Sequence, residues 1–468
     1  MPGGWINKPL DDLITAFRAG SLSPIDLYEE ARARHEGAGK PLTAYRVWDK
    51  THSRAQAVRA DAAFRTEDII GPLQGIPISV KDLFGVSTLD TFAGSPRALP
   101  EKWNSEGPVI KALRNQGAVL TGKTHMVEFA FGGLGKNVHW PVPRNPWDAN
   151  AHRVCGGSSS GAGVSLMEGS ALVALGTDTA GSVRVPASVT GTVGLKVTAG
   201  RWPIDGIVPL SPTFDTPGVL TRSVADASLV FEVIDAHCNG RSSRPAVSAA
   251  DMRSVRIGVV EHHFWEDCAD DIIGPVREAL GELENTGAKI VAMDWPGLDE
   301  AYALFRQGSV VASEFRAFIE SELPEWIETL DPNVSFRMSS ALGLDDEEII
   351  RRRGALANLA ATAARTMKNI DVVITPTVPL TPPLLADIAE PKAYSAANLQ
   401  TLKNTCIANL LGLCAITMPV ALDGKGMPVG LQCMAAGGAE ERLLAIALAF
   451  ERQFGTARER LGKPPLAV

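Results

Sequence analysis

The run Cys155-Gly156-Gly157-Ser158-Ser159-Ser160-Gly161 is followed by Gly176-Thr177-Asp178-Thr179-Ala180-Gly181-Ser182-Val183-Arg184. Together they set small residues, backbone N–H donors and several hydroxyls within about thirty positions, which suits acyl transfer: a nucleophile beside a pocket for a developing oxyanion. What activates the hydroxyl is not evident locally, because none of the eight histidines marks itself as its base. The serine-rich loop leads into Ala162-Gly163-Val164-Ser165-Leu166-Met167-Glu168, whose pattern predicts a helix.

Working outward, Ser23-Pro24 reads as an N-cap and a proline in the first turn of a helix running to about Arg34. Residues 71–82 read as a turn and then a short β-prone run, Ile76-Pro77-Ile78-Ser79-Val80, ending at Lys81 and Asp82. Lys81 thus stands at a strand end, where functional groups of α/β sheets often lie. Helix is predicted at 109–115, 271–284 and 439–453, and strand at 118–122, 255–260, 415–418 and 429–432. A further apolar strand from Asp371 breaks into the proline-rich 375–383 loop. This alternation predicts a largely parallel, covered sheet in an α/β fold.

Length alone favours two or three units for 468 residues, with 236–252 as the best seam because it holds Gly240, the pair Ser242-Ser243 and Pro245 with little periodicity. Hydrophobic residues make up 45% of the chain and charged residues 21%, which excludes global disorder and fibrous classes. The net charge of -8, without long Lys/Arg runs, argues against nucleic-acid partners. The opening Met1-Pro2-Gly3-Gly4-Trp5 lacks the apolar core of a signal peptide, and no apolar run reaches the ~20 residues of a membrane span. Six scattered cysteines without a CxxC pair fit reduced thiols and a cytoplasmic location. His262-His263 has no third ligand at a recognised spacing, so no metal is expected.

Two motifs mislead. Gly117-Ala118-Val119-Leu120-Thr121-Gly122-Lys123-Thr124 fits the P-loop expression, yet its middle reads as the strand itself rather than a phosphate-wrapping loop. Gly157-Ser158-Ser159-Ser160-Gly161 fits the nucleophile elbow, with Ser159 as nucleophile, but the last histidine is His263 and the second Gly-Ser cluster is left unexplained.

Lys81 in Val-Lys-Asp, Ser158 in Gly-Gly-Ser-Ser and Ser182 in Asp-Thr-Ala-Gly-Ser-Val-Arg resemble, in order and separation, the three catalytic elements of the amidase signature family. The resemblance runs from Gly71 to Arg222, through Gly75-Ile76-Pro77, Arg144-Asn145-Pro146-Trp147 and Gly194-Leu195-Lys196, and returns in Ile374-Thr375-Pro376-Thr377 and Gly430-Leu431-Gln432. It implies one α/β domain over 1–468, a central twisted mixed β-sheet flanked by helices, with a signature core at 71–222 and a variable substrate-determining region at 240–400. That overrides the division suggested by length.

By the same resemblance Ser182 is the nucleophile, Ser158 the bridging serine in a cis peptide after Gly157, and Lys81 the base. Thr179, Ala180, Gly181 and Ser182 would supply the oxyanion hole, while Asp178, Arg184 and Ser159 would support the turn. Ser160 is expected to hydrogen-bond within its loop. Phe131, Gly132 and Gly133 are candidates for substrate contact, as are Trp140 and the 376–383 prolines for pocket walls. The implied activity is cofactor- and metal-independent hydrolysis of a C–N bond in a small-molecule amide, anilide, urea or carbamate. The expected partner is that substrate, with no nucleic acid or membrane and with self-association as a homodimer left open. The A-type component of a tRNA-dependent glutaminyl or asparaginyl amidotransferase resembles the chain across the same motifs, but usually has Gly-Ser-Ser-Thr-Glu-Asn where Gly132-Gly133-Leu134-Gly135-Lys136-Asn137 stands here. A catalytically silent binding protein of the same fold is the third reading.

Overall fold

Eleven strands form one sheet in a computed structural model of the chain, which describes residues 4–241, 247–307 and 310–467. They are β1 (Tyr45–Trp48), β2 (Pro77–Lys81), β3 (Val119–Thr124), β4 (Val173–Asp178), β5 (Val193–Lys196) and β6 (Thr216–Thr221). β7 (Arg256–Val259), β8 (Lys289–Ala292), β9 (Val372–Pro376), β10 (Cys414–Leu422) and β11 (Pro428–Ala435) complete the set. The order β1-β3-β2-β4-β6-β5-β10-β11-β9-β7-β8 joins both halves of the chain, so the sheet makes a single α/β domain. The proposed 236–252 seam is no boundary in that sheet; its Ser242, Ser243 and Pro245 lie outside the described residues, as does 1–3 of the opening segment.

The sheet is mixed, which corrects the largely parallel arrangement read from element alternation. β2 runs parallel to β3 and β4, and β7 runs parallel to β8 and β9, whereas the centre from β4 through β6, β5, β10 and β11 to β9 is antiparallel. The reason is burial on both faces. β4 and β6 are buried at every residue, so neither shows the period-2 alternation that betrays a one-sided antiparallel strand.

Local chemistry places the elements that matter. Ser23 accepts a hydrogen bond from Asp26 N at 3.0 Å and Pro24 opens the helix Pro24–Glu36, as the N-cap reading requires. Gly75 turns the chain into β2 at φ +79°, and a Cβ there would meet Pro24 Cβ at 2.8 Å. The P-loop lookalike is β3: Gly122 and Lys123 are strand residues, and the buried Lys123 donates to Thr91 Oγ1 at 2.6 Å. β10 is much longer than 415–418, continuing through Pro419 at a bulge. Among the described residues no helix is long and apolar enough to cross a membrane.

Candidate active site

Because β2 and β4 are parallel neighbours, their carboxyl ends coincide, and both sequence-predicted clusters meet there. Lys81 is the last residue of β2 and Asp178 the last of β4. Ser158 arrives on the loop before the helix Ser160–Glu168, across a cis Gly157-Ser158 peptide. Ser182 sits in the turn before the helix Arg184–Thr190.

Lys81 is fully buried and its Nζ donates to Ser158 Oγ at 2.8 Å and to Thr177 Oγ1 at 2.9 Å. Burial pushes its ammonium down to about 7, against the opposing pull of Asp215 and Asp178. Thr177 stood inside the quoted stretch, but nothing in the pattern marked it as the lysine's second partner.

The turn that carries Ser182 is held from within. Asp178 Oδ1 accepts from Gly181 N at 2.8 Å, and Oδ2 accepts from Val183 N at 3.1 Å. Arg184 donates Nε to Asp178 Oδ2 at 3.0 Å and Nη2 to Oδ1 at 2.8 Å, and its Nη1 reaches Thr405 O at 2.8 Å and Gln432 Oε1 at 2.5 Å. Burial would raise the Asp178 carboxyl, but the guanidinium beside it wins and holds it at about 2. Ser159 is wholly buried and donates to Ser182 O at 2.6 Å, which rules it out as an exposed nucleophile and makes it a brace for the turn. Ser160 is different from expectation: its Oγ has no hydrogen-bond partner among the described residues.

The N–H groups of Thr179, Ala180 and Ser182 carry no hydrogen bond among the described residues, whereas that of Gly181 is taken by Asp178. Gly181 therefore drops out of the predicted oxyanion donors and acts as the bend, at φ +134°, where a Cβ would meet Thr405 Oγ1 at 2.1 Å. Gly181→Ala is expected to cut kcat/KM at least 100-fold through displacement of Ser182, a loss on the order of 3 kcal/mol in transition-state binding. Steady-state kinetics on the folded variant checks it. Thr179 also donates its hydroxyl to Asp215 Oδ1 at 2.5 Å, and burial pushes the Asp215 carboxyl up to about 6 despite that bond.

Ser182, Thr179 and Ala180 open on a cavity of about 230 Å³. Phe131 and Gly132, candidates for substrate contact, line it, together with Phe305, Arg306, Arg337 and Leu402, which no sequence motif marked. Gly133 does not line it: its N–H binds Asn398 Oδ1 at 2.7 Å and the residue packs on Leu402. Trp140 is also elsewhere, donating to Ser95 O at 2.9 Å and meeting Phe92 edge-on, and the 376–383 prolines are absent from the wall.

A family model described as Amidase matches residues 26–444. The 2-amino-5-chloromuconic acid deaminase of Comamonas testosteroni is 47% identical over 450 residues, covering 96% of this chain and 97% of its own. A glutamyl-tRNA(Gln) amidotransferase component from Synechococcus sp. (strain RCC307) is 30% identical, covering 98% and 100%. A crystal structure of an amidase superposes with TM-score 0.86 at 28% identity, over 96% of this chain and all (100%) of that one.

Proposed function

The chain belongs to the amidase signature family, and from that premise we propose that it hydrolyses a C–N bond in a small molecule through Ser182 as nucleophile, releasing ammonia or an amine. The observation that carries the reading is the 2.8 Å contact between Lys81 Nζ and Ser158 Oγ in a site where burial favours the neutral amine. Neutral Lys81 takes the Ser158 proton, Ser158 takes that of Ser182, and Ser182 Oγ attacks the carbonyl carbon. The oxyanion is received by the free N–H groups of the 179–182 turn. Collapse breaks the C–N bond, with the relay returning its proton to the leaving nitrogen. Water, deprotonated by the same relay, then opens the acyl-enzyme to a carboxylic acid and restores Ser182.

The Comamonas relative is named for an amino-substituted muconic acid, so the amides, ureas and carbamates to test include ones that also carry a carboxylate. Cavity residues Phe305, Arg306, Arg337, Leu399 and Leu402 all come from within or just beyond 240–400, in keeping with a substrate-determining role for that region. The amidotransferase reading rests on lower identity and requires partner proteins. Ammonia release by the purified chain alone, with no effect on charged tRNA, is expected. A fluorophosphonate probe should label Ser182 in folded protein and leave Ser182→Ala unlabelled; labelling that persists in the variant, or a substrate turned over equally by both, would remove Ser182 from the role.

A further inference from the structure

The cavity beyond Ser182 carries a cation that the protein itself leaves unanswered. Arg337 lines the wall, and among the described residues it makes no ion pair and its buried Nε has no hydrogen-bond partner. Its half-buried guanidinium lies 4.6 Å from the centre of the Phe131 ring, a cation–π contact that offsets only part of the desolvation of the Nε end. Burial accordingly pushes it below its ordinary value, with the Tyr394 hydroxyl opposing. The nearest acid in sequence, Asp331, is already engaged: Oδ2 accepts from Val138 N at 3.2 Å, and Oδ1 from Asn333 N at 2.8 Å.

The presentation of this arginine is fixed. It stands on the helix Pro332–Ser339, capped by Asp331, whose own N–H donates to the buried Glu128 Oε2 at 2.6 Å. Glu128 belongs to the same loop as Phe131 and Gly132, so one hydrogen bond ties the helix to the segment on which Arg337 stacks. Arg306 adds a second cation, and the described wall contains no Asp or Glu, although the whole chain has a net charge of -8. The remaining surface is largely apolar, with Phe131, Phe305, Leu399 and Leu402.

We infer that Arg337 is the specificity-determining residue for a substrate carboxylate, held apart from the scissile C–N group, with Arg306 at the same wall adding positive potential. The planar fork of the guanidinium suits a carboxylate bidentately, and the apolar wall suits a short hydrocarbon or unsaturated body between the two ends. The assignment rests on the reading of Ser182 as nucleophile, and it narrows the substrate to small acids bearing an amide. An anionic ligand would supply the partner that the half-buried guanidinium lacks.

Two measurements test it. Adipate and muconate should slow fluorophosphonate labelling of Ser182 in the wild type while 1,6-hexanediol does not, and Arg337→Met should abolish that protection. With adipic acid monoamide against hexanamide, the ratio of the two kcat/KM values should fall at least 50-fold in Arg337→Met, through KM for the acid, with partial recovery in Arg337→Lys. A ratio that stays put, or no protection by either diacid in the wild type, overturns the assignment. Failure of the nucleophile reading is seen separately, as labelling that survives Ser182→Ala.

Discussion

Lys81→Met is expected to lower kcat by about 10⁴-fold, the upper range for removing a positioned general base, while the protein still folds. The wild-type profile follows from the same residue. Burial lowers the amine to about 7, so kcat/KM should climb with pH through that value and level off above it, as the neutral form becomes dominant. A flat profile between pH 6 and 10, with chemistry limiting, or a methionine variant that keeps a tenth of the activity, would eliminate the neutral-lysine base. The stability of the two proteins carries an independent signature. Between about 7 and 10.5 the unfolded chain binds more protons at this lysine than the folded one does, so this group makes wild-type stability rise with pH across that window. The methionine variant lacks this slope. Whatever its stability at pH 7, including the cost of the two lost hydrogen bonds, the wild type should gain on it steadily toward pH 10, as read by denaturant melts.

The meeting of Lys81, Ser158 and Ser182 at one end of the sheet was legible because each sits in a short motif whose residues are local in sequence. Lys81 ends a run of β-prone residues, and Ser158 and Ser182 lie in Gly/Ser turns beside buried helices. What surrounds them was not, since it depends on contacts between distant segments. Asp215 reaches Thr179 across 36 positions, and Arg337 reaches Phe131 from a helix to which no motif points. Local plausibility also misled: Trp140 and the 376–383 prolines have pocket-wall chemistry, but the chain path takes them away from the cavity. Gly181 looked like an oxyanion donor because its neighbours are small, whereas the carboxylate three residues earlier claims its N–H. Strand direction was hidden for a different reason. Helices cover both faces of the sheet, and a fully buried strand shows no alternation from which to infer the geometry of its pairing.

Arg184→Leu should destabilise the protein by about 3–5 kcal/mol at neutral pH, the range for breaking a buried ion pair from one side. Both side chains are fully buried, and the arginine also bonds Thr405 O, Gln432 Oε1 and Asn409 Oδ1, so its loss strands several groups at once. In the wild type Asp178 is held at about 2, below its unfolded value of 3.8; its contribution is complete above 3.8 and is lost as pH falls through 2. Removing the guanidinium leaves burial as the dominant influence, which raises the carboxyl and reverses the sign. The variant should therefore be most impaired near pH 7 and recover relative to the wild type as pH is lowered toward 4, where Asp178 can fold protonated. An equal loss at both pH values would show that packing, not charge, is what Arg184 provides. Adding Asp178→Asn to Arg184→Leu should restore part of the neutral-pH stability by removing the stranded charge. It should not restore activity, because an amide offers only one oxygen to the N–H groups of Gly181 and Val183 that now share a carboxylate. Stability returning without turnover would separate the two tasks of this pair: compensating a charge in the core, and shaping the turn that aims Ser182.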